Sequence, residues 1–410
     1  MIHHPLQILL LAVALLVSVP IGVLLLECLA SLLRRRPGGT PEGGAAPASR
    51  RAVLIPAHNE EEAIARTVES IRPQLSAQDR LLVIADNCTD QTAQRARDAG
   101  ATVFERHDPE RRGKVAALAC GLGILAQEPA DLLILVDADT PVDPGSISAL
   151  SRSASETGRP MQAIYLLKPP EGAGMKSRLS SLAFSLKNYV RPRGLARLGL
   201  PCPLVGTGMA IPWALLAQAR FSEHSIVEDL QLGIDLAILG YPATLCEDAV
   251  VTGFLPTTDA AAKIQRRRWE HGHLRTLLTQ APRLVGWALR KGRPALLGMA
   301  FDLAVPPLSL LGMLWLFVAA LALTSALRGG SPLPLWVSGA SGVLFGAGLL
   351  TAWAGHLRKQ VGLLTLLCLP FYVLWKVPLY VGFLFLRETK WIRTPREGDR
   401  RNSGPAPPPA

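Results

Sequence analysis

The longest apolar run in the chain lies near its start, at residues 6–33, and it is the feature that most restricts the fold. A helix of this length reaches across the roughly 30 Å hydrocarbon core of a bilayer. A secretory signal peptide is not indicated, because the run is too long, no Lys or Arg precedes it, and no small-residue cleavage site follows. Three arginines at 34–36 follow directly, and such charges stay in the cytoplasm. We therefore predict an N-terminal transmembrane helix within residues 1–36.

Further apolar blocks occur only in the C-terminal part, at about 303–327, 334–356 and 362–386. The last block contains two prolines and Lys376, which disfavour a simple crossing. Four full crossings from an outside N-terminus would also place the basic tail outside, against the positive-inside rule. We therefore expect two or three transmembrane helices within 286–390, and a basic, Pro-rich tail at 391–410 on the cytoplasmic side.

The charge and cysteine content restrict the partners of this chain. Lys and Arg number 43 against 32 Asp and Glu, giving a formal net charge of +11. This balance fits anionic membrane lipids and phosphate-bearing substrates. No recognised nucleic-acid motif accompanies the charge, so we expect no nucleic-acid partner. The six cysteines are scattered without a CxxC pair, which predicts reduced thiols and neither disulfides nor a zinc site.

The middle of the chain predicts one soluble α/β domain at 51–285, which a Gly/Pro/Ala-rich linker at 37–50 joins to the first helix. Short apolar runs alternate with helical segments, one of which we expect to begin at Asn59 as its N-cap. The predicted strands lie at 52–56, 80–85, 101–106 and 132–139. This alternation is typical of a parallel, doubly wound, Rossmann-like sheet, in which ligands bind beyond the carboxyl ends of the strands.

Polar residues follow three of these strands where each one ends. "PAHNE" (56–60) follows the first strand, Asp86 the second, and Asp137 and Asp139 the fourth. Carboxylates that converge on one crevice indicate Mg²⁺ or Mn²⁺ bound together with substrate phosphates. A single short acidic turn also occurs without a metal, so the prediction depends on its position after a fully apolar strand.

Two glycine-containing segments resemble nucleotide-binding loops. "GLGILA" (121–126) matches a dinucleotide pattern but lies inside a helix and before a strand, so we exclude NAD and assign Gly121 and Gly123 to close helix packing. "RRGK" (111–114) is not a Walker loop. Lys114 begins a helix, where it either contacts a phosphate or is simply exposed to solvent.

Two later segments each have a functional and a plain interpretation. "PCPLVGTGMAIP" (201–212) reads as an apolar loop in which glycines allow close backbone approach to a ligand, or form only a tight turn. Glu228 and Asp229 begin a helix at 225–240. They either compensate the helix dipole or supply a carboxylate that accepts a proton from an incoming hydroxyl.

The segment "AKIQRRRWEHGHL" (262–274) reads as a helix that carries three consecutive arginines. Residues three and four apart share a helix face, so Gln265, Arg268 and Trp269 project together while Arg266 and Arg267 point elsewhere. The alternative is a solvated basic face beside a membrane.

Taken in order, these segments resemble the membrane-integrated family 2 glycosyltransferases, which include the cellulose, hyaluronan and poly-N-acetylglucosamine synthases. The resemblance lies in "PAHNE", Asp86, "RGK", "DAD", "GTGMA", "VED" and "QRRRW", followed by membrane segments. It implies a GT-A-type nucleotide-sugar domain inserted between transmembrane helices. The usual "DDGS" is replaced by "ADNC" at 85–88, so the donor is not restricted to an ordinary UDP-hexose. The usual "TED" is replaced by "VED" at 227–229, which departs from the pattern of the cellulose synthase branch.

The resemblance also implies a role for each motif residue. Asp229 would be the general base, Asp139 would ligate Mg²⁺ or Mn²⁺, and the reaction would invert the anomeric configuration. The donor, expected to be UDP-linked, would be bound by Pro56, Glu60, Asp86, Lys114, Asp137 and Arg268. The acceptor would be bound by Gly206, Thr207, Gln265 and Trp269.

The function implied is sugar transfer to a polysaccharide or lipid-linked acceptor at the cytoplasmic face of the inner membrane, in exopolysaccharide or cell-surface glycan synthesis with polysaccharide-export partners. A non-processive glycolipid synthase, similar to ceramide glucosyltransferase, is the first alternative. A non-catalytic nucleotide-sugar-binding assembly subunit is the second, but it would be expected to have lost Asp139 or Asp229. A transporter is disfavoured because the C-terminal segments show no internal repeat.

Overall fold

The computed structural model describes residues 3–35, 49–219, 227–256, 258–378, 380 and 382. The chain divides into two compact units. Within the described residues, the sheet unit comprises 49–173, 203–219, 227–256 and 258–272, and the apolar-helix unit comprises 3–35, 174–202, 273–378, 380 and 382. The α/β domain predicted at 51–285 stays a prediction; within that range, residues 174–202 and 273–285 group with the apolar helices.

Seven strands form one mixed sheet: β1 Arg51–Ala57, β2 Arg80–Asp86, β3 Thr102–Arg106, β4 Leu132–Leu135, β5 Met161–Lys168, β6 Met209–Pro212 and β7 Thr244–Phe254. Their spatial order is β3-β2-β1-β4-β6-β5-β7. The first four in that order are mutually parallel, as predicted, and β6 runs antiparallel to both β4 and β5. The sequence reading missed β5 and β7, and it described β6 as part of a loop.

The helices of the described chain are α1 His3–Ala30, α2 Ile64–Ile71, α3 Thr92–Asp98, α4 Lys114–Leu125, α5 Ser146–Thr157, α6 Met175–Ser185, α7 Arg191–Arg197, α8 Glu228–Leu239, α9 Asp259–Lys291, α10 Pro294–Ala304, α11 Leu308–Leu327, α12 Leu333–Ala352, α13 Leu363–Leu366 and α14 Leu369–Trp375. The expectation that Asn59 caps the first helix after β1 was wrong, because α2 begins five residues later. Asn59 has a φ of 52° and binds Thr89 through its side chain, so it shapes the loop.

The core of the sheet unit consists of apolar strand residues that pack against apolar helix residues. Leu54 and Ile84 are fully buried and lie against α4. A Cβ added at Gly121 of α4 would collide with the side chain of Leu54, so the glycine allows the close approach of this helix to the sheet. Gly123 has open space beside it, so the close-packing prediction holds for Gly121 alone.

Within the part of the chain that the structure describes, three helices are long and apolar enough to cross a membrane: Pro5–Ala30, Leu308–Leu327 and Leu333–Leu357. The last apolar block is interrupted, since its described part consists mainly of the short helices α13 and α14. That it does not fully cross stays a prediction, because residues 383–386 of the block lie outside the described residues. The tail at 391–410 also lies outside them.

A buried ion-pair cluster lies among the helices of the apolar-helix unit. Arg191 at the start of α7 contacts Glu27 of α1 (Nε to Oε2, 2.6 Å) and Asp302 of α10 (Nη2 to Oδ1, 2.5 Å). One turn later, a Cβ at Gly194 would lie only 2.0 Å from the Glu27 carbonyl oxygen. Residues 174–202 therefore pack directly on the first membrane-length helix.

Candidate functional site

Asp86 ends β2 at the carboxyl edge of the sheet, and its buried carboxylate is held from three sides. Arg106 donates from Nη1 at 2.5 Å, the Asn87 side-chain amide donates at 3.0 Å, and the Gly113 backbone N–H donates at 3.3 Å. The other arm of Arg106 reaches Asp108 at 2.6 Å. Sequence reasoning missed Arg106, which the parallel register of β2 and β3 places directly beside Asp86.

The "PAHNE" segment lies at the same edge of the sheet. Pro56 is within β1, opposite Ile84 of β2. Glu60 lies in the following loop, where its backbone N–H donates to the Thr92 hydroxyl at 2.7 Å. The His58 ring nitrogen Nδ1 lies 2.6 Å from the Asp86 carbonyl oxygen. The predicted donor-site residues Pro56 and Glu60 therefore lie on either side of His58, which contacts the Asp86 backbone.

Lys114 is the first residue of α4, and its ammonium lies inside the site. Nζ is 2.5 Å from Asp137 Oδ1, 3.0 Å from the Gly206 carbonyl oxygen and 4.0 Å from Glu228 Oε1. Burial by itself would lower the pKa of Lys114, but the carboxylates of Asp137, Glu228 and Asp229 raise it above its ordinary value. Of the two interpretations of Lys114, the structure supports a charged site residue.

Asp137 and Asp139 follow β4, where the sequence predicted a ligand-binding turn. The Asp137 backbone N–H donates to the Thr207 hydroxyl at 3.0 Å. Burial raises the pKa of the Asp137 carboxyl, and the nearby Asp139 and Asp229 carboxylates add to the rise, while Lys114 opposes it. Asp139 accepts a hydrogen bond from the Thr140 hydroxyl at 3.1 Å.

The Gly206 loop approaches Asp229 at the start of α8. A Cβ added at Gly206 would lie 2.8 Å from Asp229 Oδ2 and 3.2 Å from Lys114 Nζ, and its φ of 89° also favours glycine. This glycine therefore makes room for the carboxylate and the ammonium. Asp229 also accepts a hydrogen bond from the backbone N–H of Leu230 at 2.8 Å.

Thr207 is fully buried, and its hydroxyl supports the backbone of Asp137. Its role in acceptor binding stays a prediction. Its carbonyl accepts from the side-chain amide of Gln162 at 2.9 Å, and the Gln162 Oε1 accepts from the Val205 N–H at 3.0 Å. Gln162 was missed by the sequence reading, because β5 was not predicted.

Glu228 is the second carboxylate at the start of α8, and it is buried with 8% of its surface exposed. Burial, aided by the adjacent Asp229 and opposed by Lys114, raises its pKa to about 7. Lys114, Asp137, Glu228 and Asp229 thus form one network of charged groups at the edge of the sheet. We call it the carboxylate–lysine network.

The arginine-rich segment is helical, as predicted, and lies in α9. Gln265 is buried with 8% of its surface exposed, and its side-chain oxygen has no hydrogen-bond partner among the described residues. Arg267, Arg268 and Trp269 are half-buried. Arg266 is also buried, although it lies off the predicted stripe. None of the three arginines is exposed, so a solvated basic face does not describe this segment.

The site is rich in oxygen donors but forms no complete metal cage. Among the residues that the structure describes, no group of three or more His, Cys, Asp or Glu side chains could hold a metal ion by itself. Asp137 and Asp139 still fit the binding mode in which one or two carboxylates hold Mg²⁺ or Mn²⁺ and substrate phosphates complete the shell. The six cysteines are free in this structure.

Known proteins resemble this chain in sequence and in fold. It is 35% identical over 95 residues to Protein RfbJ of Shigella flexneri, covering 23% of this chain and 68% of that protein. It is 38% identical over 98 residues to the glucosyl-3-phosphoglycerate synthase of Mycolicibacterium smegmatis, covering 22% of this chain and 31% of that enzyme.

A solved structure matches along most of the chain. The mannosyltransferase PcManGT from Pyrobaculum calidifontis, in complex with GDP-Man and Mn²⁺, superposes with a TM-score of 0.53. The match covers 92% of this chain and 100% of that one at 16% sequence identity, so it shows a shared fold. The fold is therefore the mixed α/β, GT-A-type fold that the motifs predicted.

The family comparison covers the sheet unit and the residues between its segments. The model of the glycosyltransferase like family 2 matches residues 47–272, which is more than half of the chain. This range contains the carboxylate–lysine network and the "QRRRW" segment. The chain therefore belongs to glycosyltransferase family 2.

Proposed function

We propose that this enzyme moves a sugar, with inversion, from a nucleotide-sugar donor to a polysaccharide or lipid-linked acceptor at the cytoplasmic face of a membrane. The observation that carries the proposal is the carboxylate–lysine network. It holds an ammonium and a base candidate at the sheet edge where nucleotide ligands bind in α/β folds. Three helices of membrane-spanning length support the membrane setting.

The donor would lie across the ends of β1, β2 and β4. Asp86, fixed by Arg106, would contact the base or ribose, and Lys114 would lie near the phosphates. Asp137 and Asp139 would hold Mg²⁺ or Mn²⁺, whose charge neutralises the diphosphate. Arg268 on α9 would add a second positive charge to the same diphosphate. PcManGT, which shares the fold, is bound to GDP-Man and Mn²⁺.

Asp229 is the proposed general base. It would take the proton of the acceptor hydroxyl as that oxygen forms its bond to the anomeric carbon and the bond from this carbon to the diphosphate breaks. Displacement from the opposite face converts an α-linked donor into a β-linked product. Gln265 and Trp269 would hold the acceptor sugar, the tryptophan through its flat apolar face.

A product assay tests the function directly. The purified full-length protein is incubated with UDP- and GDP-sugars and with Mn²⁺, and glycan and lipid products are separated and sized. We expect transfer that chelator abolishes and Mn²⁺ or Mg²⁺ restores. We also expect Asp229→Asn to bind donor normally without turnover. Donor binding by the unmodified enzyme without any transfer would instead support a non-catalytic subunit.

The same assay separates the two acceptor classes. A ladder of long products indicates polymer synthesis, whereas a single lipid-extractable product indicates the glycolipid alternative. The proposed orientation is tested with Ser49→Cys in sealed inverted vesicles, where a membrane-impermeant maleimide should label this position. Labelling only in right-side-out vesicles would contradict a cytoplasmic catalytic domain.

A further inference from the structure

The buried Gln162 on β5 clamps the loop that precedes β6. The paired register of β5 and β6 covers only two residue pairs, and the loop at 203–208 lies outside it. There the side chain of Gln162, which is 2% exposed, continues the pairing. Its Nε2 donates to the Thr207 carbonyl at 2.9 Å, and its Oε1 accepts from the Val205 N–H at 3.0 Å. One amide group thus binds the residues on both sides of Gly206.

The amide of Gln162 is fully used by contacts of this kind. Its Nε2 also donates to the Ala163 carbonyl at 3.0 Å. The orientation of the amide is fixed, because Val205 offers a donor on one side where Thr207 offers an acceptor on the other. An apolar side chain of the same size would leave both backbone groups without this partner, and the loop would lose its defined position.

The clamped residues are the ones that meet the reactive groups. The Gly206 carbonyl accepts from Lys114 Nζ at 3.0 Å, and a Cβ at Gly206 would lie 2.8 Å from Asp229 Oδ2. The Thr207 hydroxyl accepts from the Asp137 backbone N–H at 3.0 Å. A shift of the loop would therefore disturb three members of the carboxylate–lysine network at once.

We propose that Gln162 is a positioning residue for sugar transfer. Its amide fixes the tripeptide 205–207, and the tripeptide fixes the carboxylate–lysine network. The inference rests on the proposed function, because it takes this network as the groups that act on the diphosphate and on the acceptor hydroxyl. Misplacing such groups by about 1 Å slows an enzyme by about a hundredfold, so loss of the clamp should reduce turnover even where the fold persists.

Gln162→Met tests this role, with Gln74→Met as the matched control. Methionine has a similar length and volume but removes the amide hydrogen bonds. Gln74 also donates to two backbone carbonyls (Ser70 at 2.8 Å and Asp143 at 3.2 Å) and accepts from the Ile147 N–H at 3.2 Å. It therefore clamps a different loop of the same unit. Both full-length variants are compared with the unmodified enzyme in detergent for melting temperature, donor affinity and kcat.

We expect the two variants to lose comparable thermal stability. In contrast, kcat should fall by about tenfold or more in Gln162→Met and by less than about twofold in Gln74→Met. Hydrogen exchange reads the clamp without turnover. The backbone N–H groups of Val205 and Asp137 should exchange at least about tenfold faster in Gln162→Met and at the unmodified rate in Gln74→Met. An active enzyme in which both variants turn over equally would overturn the positioning role.

A double variant separates positioning from a general loss of structure. Gly206→Ala changes the same loop, so the kcat loss of Gln162→Met combined with Gly206→Ala should fall well short of the product of the two single losses. Losses that multiply would refute the clamp. If the unmodified enzyme transferred no sugar from any donor, the proposed function would fail, and the exchange rates of Val205 and Asp137 would still decide whether Gln162 holds the loop.

Discussion

The buried Glu228 predicts a measurable dependence of stability on pH. Its pKa rises from an ordinary 4.5 to about 7 in the fold, mainly because burial disfavours the charged form. The folded protein therefore holds this proton more tightly than the unfolded chain does. The stabilisation of the folded state by this tightly held proton is fully present below pH 4.5 and is lost as the pH rises through 7. Above that pH the fold bears a buried charge that costs about 3 kcal/mol, at 1.36 kcal/mol per pKa unit.

Glu228→Gln removes this cost because glutamine stays neutral. We expect the variant to melt about 5 °C or more above the unmodified enzyme at pH 8.5, and at about the same temperature near pH 5. The assay is thermal unfolding of the full-length protein in detergent, followed across this pH range. The exposed Glu156→Gln on α5 is the matched control and should show no pH-dependent difference. A constant difference between Glu228→Gln and the unmodified enzyme at all pH values would refute the reasoning.

Three further predictions concern the site and the helices. Gly206→Ala should lower kcat by at least about a hundredfold, because the new methyl displaces Asp229 or its partners, whereas donor affinity measured by calorimetry should fall far less. Arg268→Ala should lower kcat/KM by about a hundredfold or more, whereas Arg267→Ala should lower it by less than about tenfold. Equal losses of kcat/KM in a transfer assay would contradict a specific phosphate contact of Arg268. Arg191→Ala should destabilise the enzyme by about 3–5 kcal/mol because two buried carboxylates lose their counter-charge, and an unchanged melting temperature would contradict that.

The parallel half of the sheet was predictable because each of its strands is a compact apolar run followed by a helical pattern. The other half was not. β6 has only four residues, and it pairs antiparallel with strands that are distant in sequence. A local sequence pattern does not predict such a pairing. The sequence could not show that the loop around Gly206 comes close to Asp229 and Lys114, since that approach depends on the antiparallel pairing of β6.

The candidate site was predictable in its residue types but not in its pairings. Asp86, Asp137 and Asp229 were named because they follow strands or begin a helix. The Arg106 partner of Asp86 depends on the register of two strands, and the choice between the two interpretations of Lys114 depends on where Asp137 lies. Arg266 shows the limit of helix periodicity, since it is buried although it lies off the predicted stripe.

Gly113 and Lys114 are neighbours in the chain, yet they serve two different ends of the proposed donor site. The Gly113 N–H donates to the Asp86 carboxylate at the proposed base end, and the Lys114 ammonium contacts Asp137 at the proposed diphosphate end. Consecutive Cα atoms are fixed about 3.8 Å apart, so the two contacts start from neighbouring backbone positions. With a φ of 109° at Gly113, few substitutions could keep that backbone geometry. We expect a donor whose base shifts Asp86 to shift the backbone of Lys114 beside the diphosphate as well, so discrimination between bases should be expressed in the rate of transfer as well as in affinity.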